Sequence, residues 1–181
     1  MRISVYIATS LDGFIARENG DIDWLPEPGD PMLDPGEDYG YGDFMSDVDV
    51  LLMGRNTFDK VLSFGVGWPY GDACGVILTN RPLAFPEEYS HLMETMAGEP
   101  GEIKQALSAR GFKHAYIDGG VTIQAFMQAG LVDQLILTKI PILIGSGIPL
   151  FGEIPADVKL NHIKTIGYKN GMVQSHYTLP S

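Results

Sequence analysis

Cysteine is nearly absent. Cys74 stands alone among 181 residues, so no disulfide can form within the chain, which fits a reducing, cytoplasmic setting. Basic residues are scarce as well: 12 Lys and Arg face 23 Asp and Glu, a formal net charge of −11. That balance argues against nucleic acid or an anionic membrane as a partner. It does not exclude a small anionic ligand, because a local field can oppose the net charge. The four histidines, His91, His114, His162 and His176, are scattered without metal-ligand spacing, so no metal is expected. The N-terminus lacks a charged segment followed by a short apolar one, and no apolar run approaches membrane-spanning length. There is no internal repeat, no linker and no Gly-x-Gly-x-x-Gly. What is present is globular: 45% hydrophobic and 19% charged, in a chain long enough for one domain over residues 1–181 with a real core.

The organising stretch runs from Val48 to Asp59. Val48–Met53 is short, apolar and bounded by turn residues, as a buried strand would be. Gly54 and Arg55 follow, and Asn56 is read as an N-cap, with Asp59 three residues on completing a capping-box-like pair. A strand, a glycine turn and a helix N-terminus beside a guanidinium suit a phosphate. An ordinary turn with a solvated arginine would carry the same residues.

Along the rest of the chain, Ile3–Thr9 reads as a first strand and Ser10–Gly13 as a turn. Residues 26–36 hold four prolines and two glycines and are expected to form a loop. Glu37–Ser46 is a weak helix, since Gly40 and Gly42 each cost about 1 kcal/mol relative to Ala. Strands are expected at Gly75–Thr79, His91–Glu94 and Ala115–Asp118. Helices are expected from Pro100 to Ala109 and from Val121 to Gln128. Val132–Ile144 is a long apolar strand region interrupted by Pro141, and Lys159–Tyr168 with Met172–Leu179 flank the hairpin signal Asn170-Gly171. Alternating strands and helices with a final hairpin imply an α/β fold: a mixed, mainly parallel sheet, helices on both faces and an antiparallel edge. Ligands of such sheets bind outside the carboxyl ends of the strands. Gly54-Arg55, Thr79-Asn80-Arg81 and Gly119-Gly120 all follow expected strands, so they should gather on one rim.

These segments resemble the dihydrofolate reductase-like superfamily, a three-layer α/β/α fold, and within it the branch containing the reductase domain of riboflavin biosynthesis. Ile7–Ala16 is similar to that branch's first strand and following loop, Met53–Phe58 to the Met-Gly-Arg-x-Thr segment of dihydrofolate reductases, and Asp118-Gly119-Gly120 to the family's Gly-Gly turn. Leu131-Val132-Asp133 and Pro141–Phe151 are closer to the riboflavin branch. The resemblance implies an NADPH site. Gly54, Arg55 and Thr57 would hold cofactor phosphates, and Arg81, with Thr79 and Asn80, would sit near the adenosine 2′-phosphate. Gly119 and Gly120 would admit the pyrophosphate, with Val121, Thr122 and Ile123 at that helix start. Backbone groups of Ala8 and Ile15 would hold the carboxamide. Glycines permit close approach and a guanidinium suits a phosphate monoester, independently of the family.

On the substrate side the family places one carboxylate on its first helix. Counting back from Gly54 puts Asp38 there; Asp43, next to Phe44, competes, and both could instead be solvated surface acids. In the pocket such an acid would have a raised pKa and could supply a proton. Asp12 is a turn residue and possible substrate contact, while Trp24, Phe44 and Phe58 are expected to line the pocket. The Pro- and Gly-rich insert after Trp24 departs from the dihydrofolate reductase pattern. The resemblance implies a stand-alone NADPH-dependent reductase, because the zinc deaminase signature is absent. Its substrate would be a pterin or folate-like ring or a phosphoribosylaminopyrimidine. A non-catalytic NADP(H)-binding or sensing protein on the same fold is the alternative. A homodimer is expected too, sharing the apolar surface Leu135–Ile144.

Overall fold

The computed structural model describes residues 1–26 and 30–180. Part of the loop expected at 26–36, residues 27–29, therefore lies outside the described residues. The strands are β1 (Arg2–Ser10), β2 (Phe14–Ala16), β3 (Val50–Gly54), β4 (Cys74–Leu78), β5 (Met93–Met96), β6 (His114–Asp118), β7 (Gln134–Ile140), β8 (Ile148–Pro149), β9 (Asn161–Gly167) and β10 (Val173–Thr178). The helices are α1 (Tyr41–Met45), α2 (Arg55–Ser63), α3 (Pro100–Ala109) and α4 (Gly120–Gln128).

Eight strands make one sheet in the order β5-β4-β3-β6-β1-β7-β10-β9, and β2 pairs with β8 as a separate ribbon. β5 through β7 in that order are parallel, while β10 runs antiparallel to both β7 and β9. The architecture is the expected one. Alternation along the strands divides the core. Val50, Leu52, Val76 and Ile117 face Ile103 and Leu107 of α3 and Ile123 and Phe126 of α4. Leu51, Met53, Ile77 and Tyr116 face Phe44 of α1 and Phe58 and Val61 of α2. A third cluster joins Trp24, Ile140 and Met172.

Local chemistry explains where the elements differ from expectation. Helix α1 is one short turn rather than Glu37–Ser46, because Gly40 takes φ 80° and stops it on the N-terminal side. Helix α2 starts at Arg55, with Gly54 rather than Asn56 as its N-cap. Asp59 closes no capping box there; its carboxylate accepts the Arg55 Nε–H at 2.8 Å. A 3-10 turn over Glu87–Leu92 takes up His91, so β5 begins two residues later than expected. β7 ends at Ile140, where Pro141 has no N–H for the ladder. In the final hairpin Tyr168 N–H donates to the Met172 carbonyl at 2.9 Å and Gly171 has φ 87°. This makes a three-residue loop with glycine in the left-handed position.

Candidate active site

The sheet opens between β1 and β6. β1 pairs with β6 only over Arg2–Ser4, yet stays paired with β7 through Ser10. Arg2 N–H reaches the Lys113 carbonyl on the β6 side, whereas the Ile3 carbonyl and Leu11 N–H bond on the β7 side. By alternation the backbone of Tyr6 and Ala8 points toward β6, into the opening. Tyr116 hydroxyl donates to the Tyr6 carbonyl across it at 2.9 Å. The N–H and C=O of Ala8 lie beyond that bridge, facing the carboxyl end of β6.

The glycine turns do gather on one rim. β4, β3 and β6 are adjacent and parallel, with Gly54 level with Leu78 and Met53 level with Asp118. Gly119 has φ 88°, and a Cβ there would stand 2.1 Å from Thr57 Oγ1. A Cβ on Gly120 would stand 2.9 Å from Ile15 Cδ1, and one on Gly54 3.5 Å from Thr122 Oγ1. Gly54, Thr57, Gly119, Gly120, Thr122 and Ile15 thus surround one point, between the first turns of α2 and α4. The unsatisfied N–H groups of two helix starts converge there. Val121 is 82% exposed on the first turn of α4, while Ile123 is fully buried in the core, so its side chain supports the turn from beneath. Thr79 Oγ1 accepts Arg81 N–H at 3.1 Å, folding the residues after β4 back on themselves. Arg81 is exposed, and among the described residues no carboxylate pairs with it. Arg55 is tied by Nε to Asp59, leaving the outer nitrogens of its fork uncommitted by that bond.

Neither expected acid sits in an apolar pocket. Asp38 precedes α1 and is exposed, its carboxylate accepting Gly42 N–H at 2.9 Å and Gly40 N–H at 2.8 Å. Those backbone donors, Gly42 first, hold its pKa below the ordinary carboxylate value, opposite to what a proton donor requires. Asp43 is exposed on α1. The carboxyl group in the cleft is Asp118, the last residue of β6. It shares a face with His114 and Tyr116, and burial pushes its pKa up, opposed by the Gly119 N–H at 2.7 Å. Tyr41, Tyr70 and Tyr116 lie close enough that its charge adds to burial in raising all three phenols. Tyr6 is pushed up to about 12, chiefly by burial. A signal did exist in the sequence: an acid ending a central strand, two residues after a tyrosine on the same face.

The expected pocket lining divides. Phe44 packs its ring on Tyr6 at 5.0 Å and Tyr116 at 5.2 Å, beneath the cleft. Phe58 has no exposure and stacks edge-on with Phe85, so it is core rather than lining. Trp24 is buried against Ile140 and Met172, with Ala8 beside it. Asp12 accepts Ile144 and Gly145 N–H at 3.3 and 2.8 Å, stapling the loop after β7. Among the described residues no metal-ligating cluster occurs, and no helix is long and apolar enough to cross a membrane.

A family model for the RibD C-terminal domain matches residues 84–173. The chain is 35% identical over 175 residues to the Bacillus subtilis (strain 168) protein YwjB, covering 96% of this chain and 95% of that one. Among solved structures, the "Putative riboflavin biosynthesis protein" of Shewanella sp. PV-4 is 40% identical, with a TM-score of 0.89 and complete coverage of both chains. The chain belongs to the RibD C-terminal-domain family. The wider fold likeness extends to an Enterococcus faecalis dihydrofolate reductase complexed with NADP(H), at a TM-score of 0.67 and 18% identity, covering 99% of this chain and 97% of that one. In this RibD-type chain the splayed strands, the Gly119-Gly120 turn and Asp118 occupy one cleft.

Proposed function

We propose that this chain is an NADPH-dependent reductase acting on a small ring substrate of the pterin or aminopyrimidine kind. The observation that carries the reading is the position of Asp118. It is a desolvated carboxyl at the carboxyl end of β6, directly before the Gly119-Gly120 turn and across the opening from the backbone of Ala8. The chain's own residues fit a dinucleotide. A Cβ on either rim glycine would meet Thr57 at 2.1 Å or Ile15 at 2.9 Å, so the turn packs close on both, and the N–H groups of the helix starts beside it suit a pyrophosphate. Ala8 offers one donor and one acceptor to a carboxamide, and Arg81 offers an unpaired guanidinium to a phosphate monoester. When bound, the cofactor would supply hydride.

The protein's part is to orient and to protonate. Its raised pKa lets Asp118 stay protonated nearer neutrality and give that proton to the ring atom that becomes basic. Tyr41 and Tyr70 lie within electrostatic reach of the carboxyl and would offer flat apolar surface to a ring. A homodimer is part of the proposal, but β7 cannot supply its surface: Leu135, Ile136 and Ile140 are buried within the subunit. Edge strand β9, with Ile163 59% exposed, offers an apolar edge instead. The test is steady-state NADPH oxidation with a panel of pterins, folates and aminopyrimidines. Turnover that is lost in Asp118→Asn supports the reading; cofactor binding without turnover on every ring would favour a sensor instead.

A further inference from the structure

Taking up the homodimer of that reading, we infer that the second copy docks on the α4 side of β9 and β10, face to face rather than edge to edge, and that this contact steadies the cofactor rim. Residues 151–165 are exposed without a break. They include most of β9, so residues 161–165 show both alternating sides of the strand to solvent. A strand ordinarily buries at least one side. On β10, Gln174 is buried on the α1 side, and Val173, Ser175 and Tyr177 alternate to the other. Their partners on β9 are Gly167, Thr165 and His162. On β7, Leu135 and Leu137 lie level with Tyr177 and Ser175 and are buried with α3 and α4. That cover has ended at the next pair, where Val173 is 40% exposed and Lys139 beside it is exposed too.

The composition of this surface fits a second copy. Six of the twelve exposed large apolar side chains among the described residues belong to it: Phe151, Ile154, Val158, Leu160, Ile163 and Val173. An apolar patch of that extent marks an interface. Residues 139–181 hold four Lys and two acids, while the other 21 acids and eight basic residues lie before them. Two copies of a chain with net charge −11 therefore meet least repulsion here. Residues 151–165 with Lys139, Gly167, Val173, Ser175 and Tyr177 make twenty residues, against the roughly 20–30 a side of a stable interface. The edge itself is blunted. A bulge opposite His176/Tyr177 breaks the register of β9, and Lys164 sits on that strand; both devices discourage edge-on pairing. The face is flat and carries small residues, Gly167 and Ser175, so two sheets can stack by a two-fold axis.

The segment flanking this face starts at the rim. A Cβ on Gly120 would stand 3.4 Å from Ile148 Cγ2 of β8. Gln124 Nε2 donates to the Pro149 carbonyl at 2.9 Å, and Gln128 Nε2 to the Glu153 carbonyl at 2.9 Å, fastening the segment to α4. A partner seated on Phe151 and Ile154 thus holds β8 against the first turn of α4. By linkage, NADPH would tighten the dimer by the same factor.

The test is sedimentation of the full chain from nanomolar to micromolar concentration, with an NADPH titration of each sample. The wild type should be a dimer at micromolar concentration. Val173→Lys places a charge in the face and should weaken the dimer at least about a hundredfold, as should Thr165→Arg. Val66→Lys removes an apolar side chain 67% exposed on the loop after α2 and should leave the dimer unchanged. All three positions are exposed, and a circular-dichroism melt of each variant checks folding. A dimer kept in Val173→Lys overturns the face, whether or not Thr165→Arg breaks it, because β10 lies inside the sheet and cannot touch a partner added edge-on. A monomeric wild type overturns it as well. The wild-type dimer should bind NADPH at least about fivefold more tightly than monomeric Val173→Lys; equal affinities overturn the link to the rim. Failure of the wild type to bind NADPH rejects the reductase reading and that link together, while the masses still decide the face.

Discussion

Gly119 joins the two halves of the rim, so replacing it with alanine probes the geometry directly. Its φ of 88° and ψ of 136° lie outside the regions open to L side chains, a strain of about 1–3 kcal/mol. The added Cβ would also lie 2.1 Å from Thr57 Oγ1 and 3.2 Å from Thr57 Cβ. A β-branched side chain in a helix has few rotamers open to it, so the Oγ1 at 2.1 Å does not swing freely aside, and overpacking adds about another 1–3 kcal/mol. The total, about 2–6 kcal/mol, is a large part of an ordinary domain's stability of about 5–15 kcal/mol. Urea denaturation of four proteins separates the two contributions: wild type, Gly119→Ala, Thr57→Ala and the double variant. Thr57→Ala alone should cost less than about 1 kcal/mol, as expected of a half-buried side chain without a strained partner. The double variant should recover about 1–3 kcal/mol of the Gly119→Ala loss, the steric share, and retain the backbone share. If the two losses simply add within about 0.5 kcal/mol, Thr57 is not what Gly119 makes room for. The packing of the turn against the start of α2 would then be rejected.

Asp118→Asn should lower kcat sharply and remove the alkaline decline of the pH profile. A carboxyl with a raised pKa gives up its proton as pH rises through that value; an unchanged profile would assign the proton to another group. Wild type should bind NADPH more tightly than NADH by about ten- to a hundredfold, the worth of one charge-assisted contact, and Arg81→Ala should erase the difference in a fluorescence titration; equal wild-type affinities would refute it. His114 is buried, and burial first, then the Arg2 charge, lowers its pKa below 6.5. The unfolded chain therefore takes up the proton first: stability is fully present above pH 6.5 and declines as pH falls toward the folded value. The same slope measured in His114→Gln should be shallower, with His176, lowered by burial and Lys164, accounting for part of what remains. Light scattering should give twice the 19.8 kDa chain mass, reverting to the monomer in Ile163→Lys; a monomeric wild type at micromolar concentration would reject the dimer.

What was legible in the sequence is what short-range chemistry decides. Strand periodicity, the Asn170-Gly171 hairpin and the glycine turns after β3 and β6 each depend on a few consecutive residues. The rim followed from them, because parallel strands ending in glycine turns must bring those turns together. The Gly119 φ of 88° and its contact with Thr57 give that inference its physical reason. Helix α1 was less legible. Helical propensity ran on through Gly40, but the turn there uses a left-handed glycine, and Asp38 satisfies the N–H groups that a longer helix would have used.

Asp118 was passed over for a different reason. Counting back from Gly54 assumes that distance along the chain maps onto position in the cleft, and the left-handed Gly40, which starts α1 only at Tyr41, leaves Asp38 outside the helix that the count assumed. A side chain's pKa depends instead on what surrounds it in space. Asp118 is buried within electrostatic reach of Tyr41 from α1, Tyr70 from the segment before β4 and Tyr116 from its own strand. No window of sequence contains all three. The same limit applied to β7, whose apolar run could belong to a core or to an interface. Only its place between β1 and β10 makes it core and leaves β9 as the edge. Asp38 and Asp118 carry the same carboxyl group: backbone donors lower the pKa of one and burial raises that of the other, so the capacity to hold a proton follows from environment, not residue type.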